Sequence, residues 1–219
     1  MSVLAALAAS IGGRSAAPPP AWPNSFAGRV EALAVLQTLN ADLLSHDSAT
    51  LTLDRWCEAH GLAAGANVVA ELVPGADKPA TPEVRRTLEA APDEPVRYRR
   101  VRLSCGGHAL SEADNWYRPT KLTHEMNQAL DTSTVAFGRA VQALHFHRRT
   151  LSAELLWSPL PDGWDMQPPP LAEHAGVLAI PDEVLRHRAI LVLRDGTPFS
   201  EVVETYTREV LAFEPNGKR

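Results

Sequence analysis

Apolar residues recur at helical spacing early in the chain and at alternating spacing later, and that change of period predicts the architecture. Val30, Leu33, Leu36, Leu39 and Leu43 form one helical stripe. Asn24 or Ser25 ahead of them carries an oxygen that can cap the first turn. A second helix follows Asp47-Ser48, with Leu53, Trp56, Cys57 and His60 on one face and Gly61 as its stop. The period then changes. A strand over 68–73 closes at Pro74-Gly75, an arginine-rich strand covers 96–105, and Gly106-Gly107 turns it into a return strand from His108 to Tyr117. Between them, 74–95 reads as a loop with one helical turn after Thr81-Pro82. Thr123 starts a short helix through Leu130, and Thr134 another through Leu144. Phe146 to Trp157 alternates as a strand. Residues 158–170 hold five prolines and read as an ordered loop or lid. Asp195-Gly196, between 188–194 and 198–206, marks a final hairpin. Helices first and hairpin-linked strands after them predict an α+β fold, an antiparallel β-sheet flanked by helices.

Composition narrows the function classes. With 219 residues, 45% of them hydrophobic, the chain can build one sizeable core. A single domain over 24–213 is expected, with tails at 1–23 and 214–219. The net charge of −5, without a basic run, disfavours nucleic acid and anionic membranes as partners. No apolar run is long enough to span a bilayer. Cys57 and Cys105 make neither a bridge framework nor a C-x-x-C site, so they are expected as buried free thiols in a reducing compartment. The Ala/Leu-rich stretch Ser2–Gly13 lacks a basic lead-in, which favours a cytoplasmic protein and leaves export by a weak signal as the alternative. His145 with His147, and Cys57 with His60, would each need two further ligands, so no metal is expected. Dinucleotide and phosphate-loop motifs are absent from the sequence, and no cofactor is expected.

Charge placed in strands is the candidate chemistry, because a half-buried charge is costly unless paired or used. On the arginine-rich strand Tyr98, Arg100 and Arg102 share one face, and Val101, Leu103 and Cys105 share the apolar core face. Arg100 can bind a carboxylate by two hydrogen bonds; the plainer reading is a solvated arginine face. Glu201 and Glu204 lie three positions apart and face opposite sides of their strand, so one of them can enter a pocket. Burial of Glu204 beside Val202, Val203 and Phe199 would favour its protonated form. Asn115 can hydrogen-bond a ligand or serve strand polarity. Arg139 can bind a second carboxylate or pair with Asp131. Arg186, His187 and Arg188 form a cationic cluster or a solvated face. Ser104, Cys105 and His108 resemble a nucleophile and base, although a core-facing Cys105 explains them as well.

On these residues the chain resembles the chorismate pyruvate-lyase family, whose fold is shared with UTRA-type ligand-binding domains, from about Leu43 to Leu211. The likeness is carried by Arg100, Cys105 and Pro119 in the first hairpin, by Gly138-Arg139 with Phe137 in place of a pocket leucine, by Glu204 in the late hairpin, and by Asp47-Ser48 followed by Ala49 where the family has a methionine. It departs at Ser111–Tyr117, which replaces a Gly-Arg-Thr type, and in the insert over 158–170. Glu204 also falls one residue late after its proline, which requires a bulge or a shifted turn.

The resemblance implies a cofactor-independent carbon–oxygen lyase that eliminates pyruvate from chorismate, or a close relative, to give 4-hydroxybenzoate. Its partner would be a small anionic substrate. Arg100 would hold the ring carboxylate, Glu204 would act as acid/base, and Phe137, Ala49, Asn115 and Arg139 would line the substrate. The alternative is a non-catalytic binding or sensor protein for small aromatic carboxylates, although about 25 residues ahead of the first helix leave no room for a helix-turn-helix. A third reading is a lyase-like protein that has lost its pocket.

Overall fold

The computed structural model describes residues 21–65, 67–75, 77–166 and 176–215. The first twenty residues, the end of the proline-rich segment and the last four residues, on which parts of the expected tails and lid fall, lie outside them. Helix α1 (Phe26–Ser45) begins at Ser25, whose hydroxyl accepts from the Gly28 amide, and its stripe buries Ala32, Leu36, Leu39 and Leu43. Helix α2 (Ala49–Ala59), capped by Ser48, buries Leu53, Trp56 and Cys57. A short α3 (Pro82–Thr87) is capped by Thr81, and α4 (His124–Thr132) by Thr123. Packing starts ahead of the expected boundary: Trp22 is buried and donates from Nε1 to the carbonyl of Leu211 at 2.9 Å.

The helix expected from Thr134 to Leu144 is broken up. Only α5 (Phe137–Ala140) is helical, followed by a 3₁₀ turn over Gln142–Leu144 that His145 closes in the left-handed region at φ 50°. No side chain caps α5. Its second residue is glycine, a poor helix former, and close packing demands it there: a Cβ on Gly138 would sit 2.7 Å from Ser48 Oγ.

The strands are β1 (Val69–Leu72), β2 (Arg97–Cys105), β3 (His108–Tyr117), β4 (His147–Leu155), β5 (Glu183–Val192) and β6 (Pro198–Thr207). All pair antiparallel in one sheet, in the order β1-β2-β3-β6-β5-β4. The fold is α+β, as the change of period predicts. The core packs α1 and α2 against one sheet face through residues such as Leu36, Leu53, Val101, Leu103, Leu185 and Tyr206. Val84 and Leu88 of α3 cover the other face beside Trp116.

Of the four register shifts in the sheet, two bear on the strands β3 and β6 at its centre. Leu103 pairs with Ser111 but Ser104 with Ala109, so Leu110 is an extra residue in β3. Leu191 pairs with Ser200 but Val192 with Pro198, so Phe199 is an extra residue in β6. The second bulge is the one-residue shift that the position of Glu204 requires.

The cysteines differ from expectation. Cys57 and Cys105 form a disulfide that joins α2 to the end of β2 across a sequence separation of 48. The reading as free thiols fails because each lies on an apolar face, of α2 and of β2, and those two faces pack on each other. No helix among the described residues is long and apolar enough to cross a membrane. By loop-closure entropy the bridge is worth about 2–4 kcal/mol. Urea unfolding with and without reductant is therefore expected to differ by that amount, and Cys57→Ser to reproduce the reduced protein's stability.

Candidate ligand cavity

Side chains on the core-facing side of the sheet fall in cross-strand rows. Arg99 lies opposite Asn115, which lies opposite Val202; Val101 lies opposite Ala113, then Glu204, then His187. Adjacent strands are about 4.8 Å apart, so β2 and β6 stand about 10 Å apart across β3. Over these rows the N-terminus of α2 (Ala49, Thr50), α5 (Phe137, Gly138) and the start of β4 (Phe146, Arg148) leave a small cavity of about 40 Å³, partly open to solvent. Its floor carries Arg99, Val101, Leu103, Ala113, Asn115, Val202 and Glu204.

Arg99 is the anomaly in this layer. It is only 6% exposed, and it donates from Nη2 to the carbonyl of Val135 at 3.1 Å, while Nε and Nη1 have no partner. No carboxylate among the described residues pairs with it, and burial pulls its pKa below the ordinary guanidinium value. An unpaired buried cation is among the most costly groups a core can hold. An anion brought into the cavity would remove that cost.

A second guanidinium is already paired. Arg148 donates from Nη2 to Glu204 Oε2 at 2.5 Å, with side chains only 3% and 7% exposed. Burial opposes the charge on Arg148, but the neighbouring Glu204 outweighs it and raises the arginine's pKa. The Tyr206 hydroxyl donates to the same oxygen at 3.2 Å. Burial first, and the Glu204 charge next, push that phenol well above its ordinary pKa, so it remains a donor. Arg148 Nε has no partner. Behind Glu204, His187 is fully buried, and desolvation lowers its pKa to about 4. It is a neutral ring at pH 7, bonded through Nε2 to Asn40 Oδ1 at 2.8 Å.

The walls are fixed locally. Asp47 Oδ1 accepts from the Arg148 amide at 2.8 Å, tying the entry to α2 onto β4. Asp54 of α2 accepts from Arg139 of α5 at 2.8 Å and from the Val68 amide at 2.7 Å. Ser200 donates to Asn115 Oδ1 at 2.7 Å and fixes that amide. Phe137 lies 5.3 Å from Tyr117 and 6.3 Å from Phe199, ring centre to ring centre.

Of the expected site residues, Glu204, Phe137, Ala49 and Asn115 all line this cavity. Arg100 does not. It lies on the opposite sheet face, 39% exposed, with Nη2 2.8 Å from Glu112 Oε2. The expectation placed the ligand opposite the apolar face, but the cavity lies within the core layer itself. The side-chain alternation that buries Val101 and Leu103 therefore brings in Arg99 and turns Arg100 out. An arginine breaking the apolar period 99-101-103-105 was the available signal.

Arg139 pairs with Asp54 instead of a ligand, and the expected partner Asp131 takes Arg97 at 3.0 Å. Glu201 lies on the far face, bonded to Arg188 Nε at 2.8 Å. Arg186, His187 and Arg188 form no cluster: His187 is buried next to Asn40, Arg186 pairs with Glu183, and Arg188 with Glu83 and Glu201. Arg148, missed in the sequence, was visible there only as a cation in an alternating strand.

Fold and site together define an α+β protein with an arginine-lined cavity between its sheet and helices. The chain belongs to the family of the uncharacterized protein y4mC of Sinorhizobium fredii (strain NBRC 101917 / NGR234), to which it is 58% identical over 193 residues, 88% of this chain and 81% of that one. No family model matches it. Among solved structures it is similar to PhnF from Mycobacterium smegmatis (TM-score 0.47, 12% identity, 79% of this chain and 70% of that one). It is also similar to a possible transcriptional regulator, YydK, from Bacillus subtilis (TM-score 0.40, 20% identity, 69% of this chain), of which it spans 62%. Likenesses this distant carry no argument about the site.

Two outcomes follow from the buried groups. Replacing the unpartnered cation by an apolar chain of similar length, Arg99→Met, is expected to stabilise the empty protein by about 1–3 kcal/mol in urea unfolding; a loss of stability would make Arg99 structural. His187 has a depressed pKa in the folded state. Its contribution is therefore complete above pH 6.5, the unfolded value, and is lost as the pH falls towards about 4. Melting temperatures of the wild type should fall more steeply across that window than those of His187→Gln.

Proposed function

We propose that the cavity binds a small ring carboxylate and that the protein eliminates pyruvate from chorismate or a close relative, giving 4-hydroxybenzoate. One observation carries this reading: Arg99, buried and lacking a carboxylate partner, faces the same cavity as Glu204. Support comes also from the lyase resemblance, because Ala49, Phe137 and Glu204, which carry it, line one space. Arg99 takes the part that the resemblance gives to Arg100.

Arg99 would hold the ring carboxylate by charge-assisted hydrogen bonds. Phe137, Val101, Leu103 and Val202 would enclose the ring, excluding water and holding it in a reactive pose. Glu204, salt-bridged to Arg148, would accept a proton. In the elimination the ring carbon that bears the hydroxyl would give its hydrogen to Glu204 as a proton, and the C–H electron pair would form the new double bond to the ether-bearing carbon. The ether C–O bond breaks with its pair on the enolpyruvate oxygen, which takes up a proton and tautomerises to pyruvate. Arg148, with Nε unmet, can stabilise the charge that develops on the leaving group.

The second reading is a non-catalytic binder of aromatic carboxylates. The Arg148–Glu204 pair favours it, since that carboxylate is already satisfied. Turnover separates the two: purified protein with chorismate should release an aromatic product followed by absorbance. Glu204→Gln is expected to lower the rate at least 100-fold while retaining 4-hydroxybenzoate binding, and Arg99→Ala to weaken both. Folded protein that binds 4-hydroxybenzoate without turnover leaves the binder. Absence of binding by calorimetry rejects both readings.

A further inference from the structure

A second, larger chamber of about 550 Å³ opens outside the cavity, lined by His46, Arg55, His145, His147 and Arg194 among others. The two spaces share Asp47, Ser48, Gly138 and Phe146, which mark the boundary between them, here called the neck. Resting on the ring-carboxylate reading above, we propose that this outer chamber is an anion subsite, and that the ligand carries a second anionic group on an arm passing through the neck.

The direction of the arm comes from the sheet order. Arg99 stands on β2, and Phe146 and Arg148 stand at the start of β4, the far edge of the sheet. A ring held by its carboxylate at Arg99 therefore presents its opposite end to the neck. The chamber's charge gives the chemistry of the arm. Its basic side chains are two arginines and three histidines, against the single acid Asp47. Arg55 is held by Asp42 and Thr52, His46 by Asp42, and His147 by Asp47. Arg194 and His145 have no side-chain partner among the described residues. His145 is presented from a left-handed backbone position that a non-glycine residue rarely adopts.

Calorimetry with three probes tests this. 4-Hydroxybenzoate reports the inner cavity alone. 4-(3-Carboxypropoxy)benzoate and its uncharged match, 4-(3-carbamoylpropoxy)benzoate, differ only in charge at the end of the arm. The carboxylate arm is expected to bind about threefold to fivefold tighter than the amide arm, as for a partly exposed charge contact. In the double variant Arg194→Ala, His145→Ala that ratio should fall to about one, while 4-hydroxybenzoate binds as before. Equal affinities in the wild type, a ratio that survives the double variant, or exclusion of both arms while 4-hydroxybenzoate binds would each overturn the subsite alone. Failure of all three probes to bind would overturn the ring-carboxylate reading with it.

Discussion

A guanidinium in an apolar layer governs this structure. The face of β2 that supplies Val101 and Leu103 to the core also supplies Arg99. Packing that layer solid would trap an uncompensated charge, at a cost comparable to a large part of a small domain's stability. The fold leaves space over the group instead, and closes the core around the space. Arg148 meets the same constraint differently, by taking Glu204 as its counter-ion within the protein. One cation is thus satisfied internally, while the other has a backbone carbonyl, that of Val135, as its acceptor among the described residues.

The fold was legible because its signals are local. Ser25, Ser48, Thr81 and Thr123 each cap the helix that follows, and the Asp195-Gly196 turn connects two paired strands. The α5 region was not legible, because a helix there depends on whether Gly138 can continue it or must fit against Ser48, and that contact is tertiary. The disulfide was hidden for the same reason: nothing in the spacing of Cys57 and Cys105 says that α2 lies on β2.

The site was legible in part. Ala49, Phe137 and Glu204, named through the resemblance, which gives positions along a chain, line the cavity, and so does Asn115, singled out as an amide able to hydrogen-bond a ligand. Arg100 was chosen by its distance in sequence from Cys105, on the assumption that ligand and core occupy opposite faces. The cavity lies in the core layer, so a single step of alternation separates Arg100 from the arginine that lines it. Arg148 is recognisable only once β4 is known to lie two strands from β6 across β5.

Helix α2 links the cross-link to the cavity. Its first residues, Ala49 and Thr50, form a wall of the binding space, and Cys57, two turns further on, is bonded to the sheet. Such a brace limits how far the helix can rock on the strands beneath it. A wall that is already stiff gives up less motional freedom when a ligand enters, so part of the affinity for the proposed ligand would be set by a bond that touches no ligand.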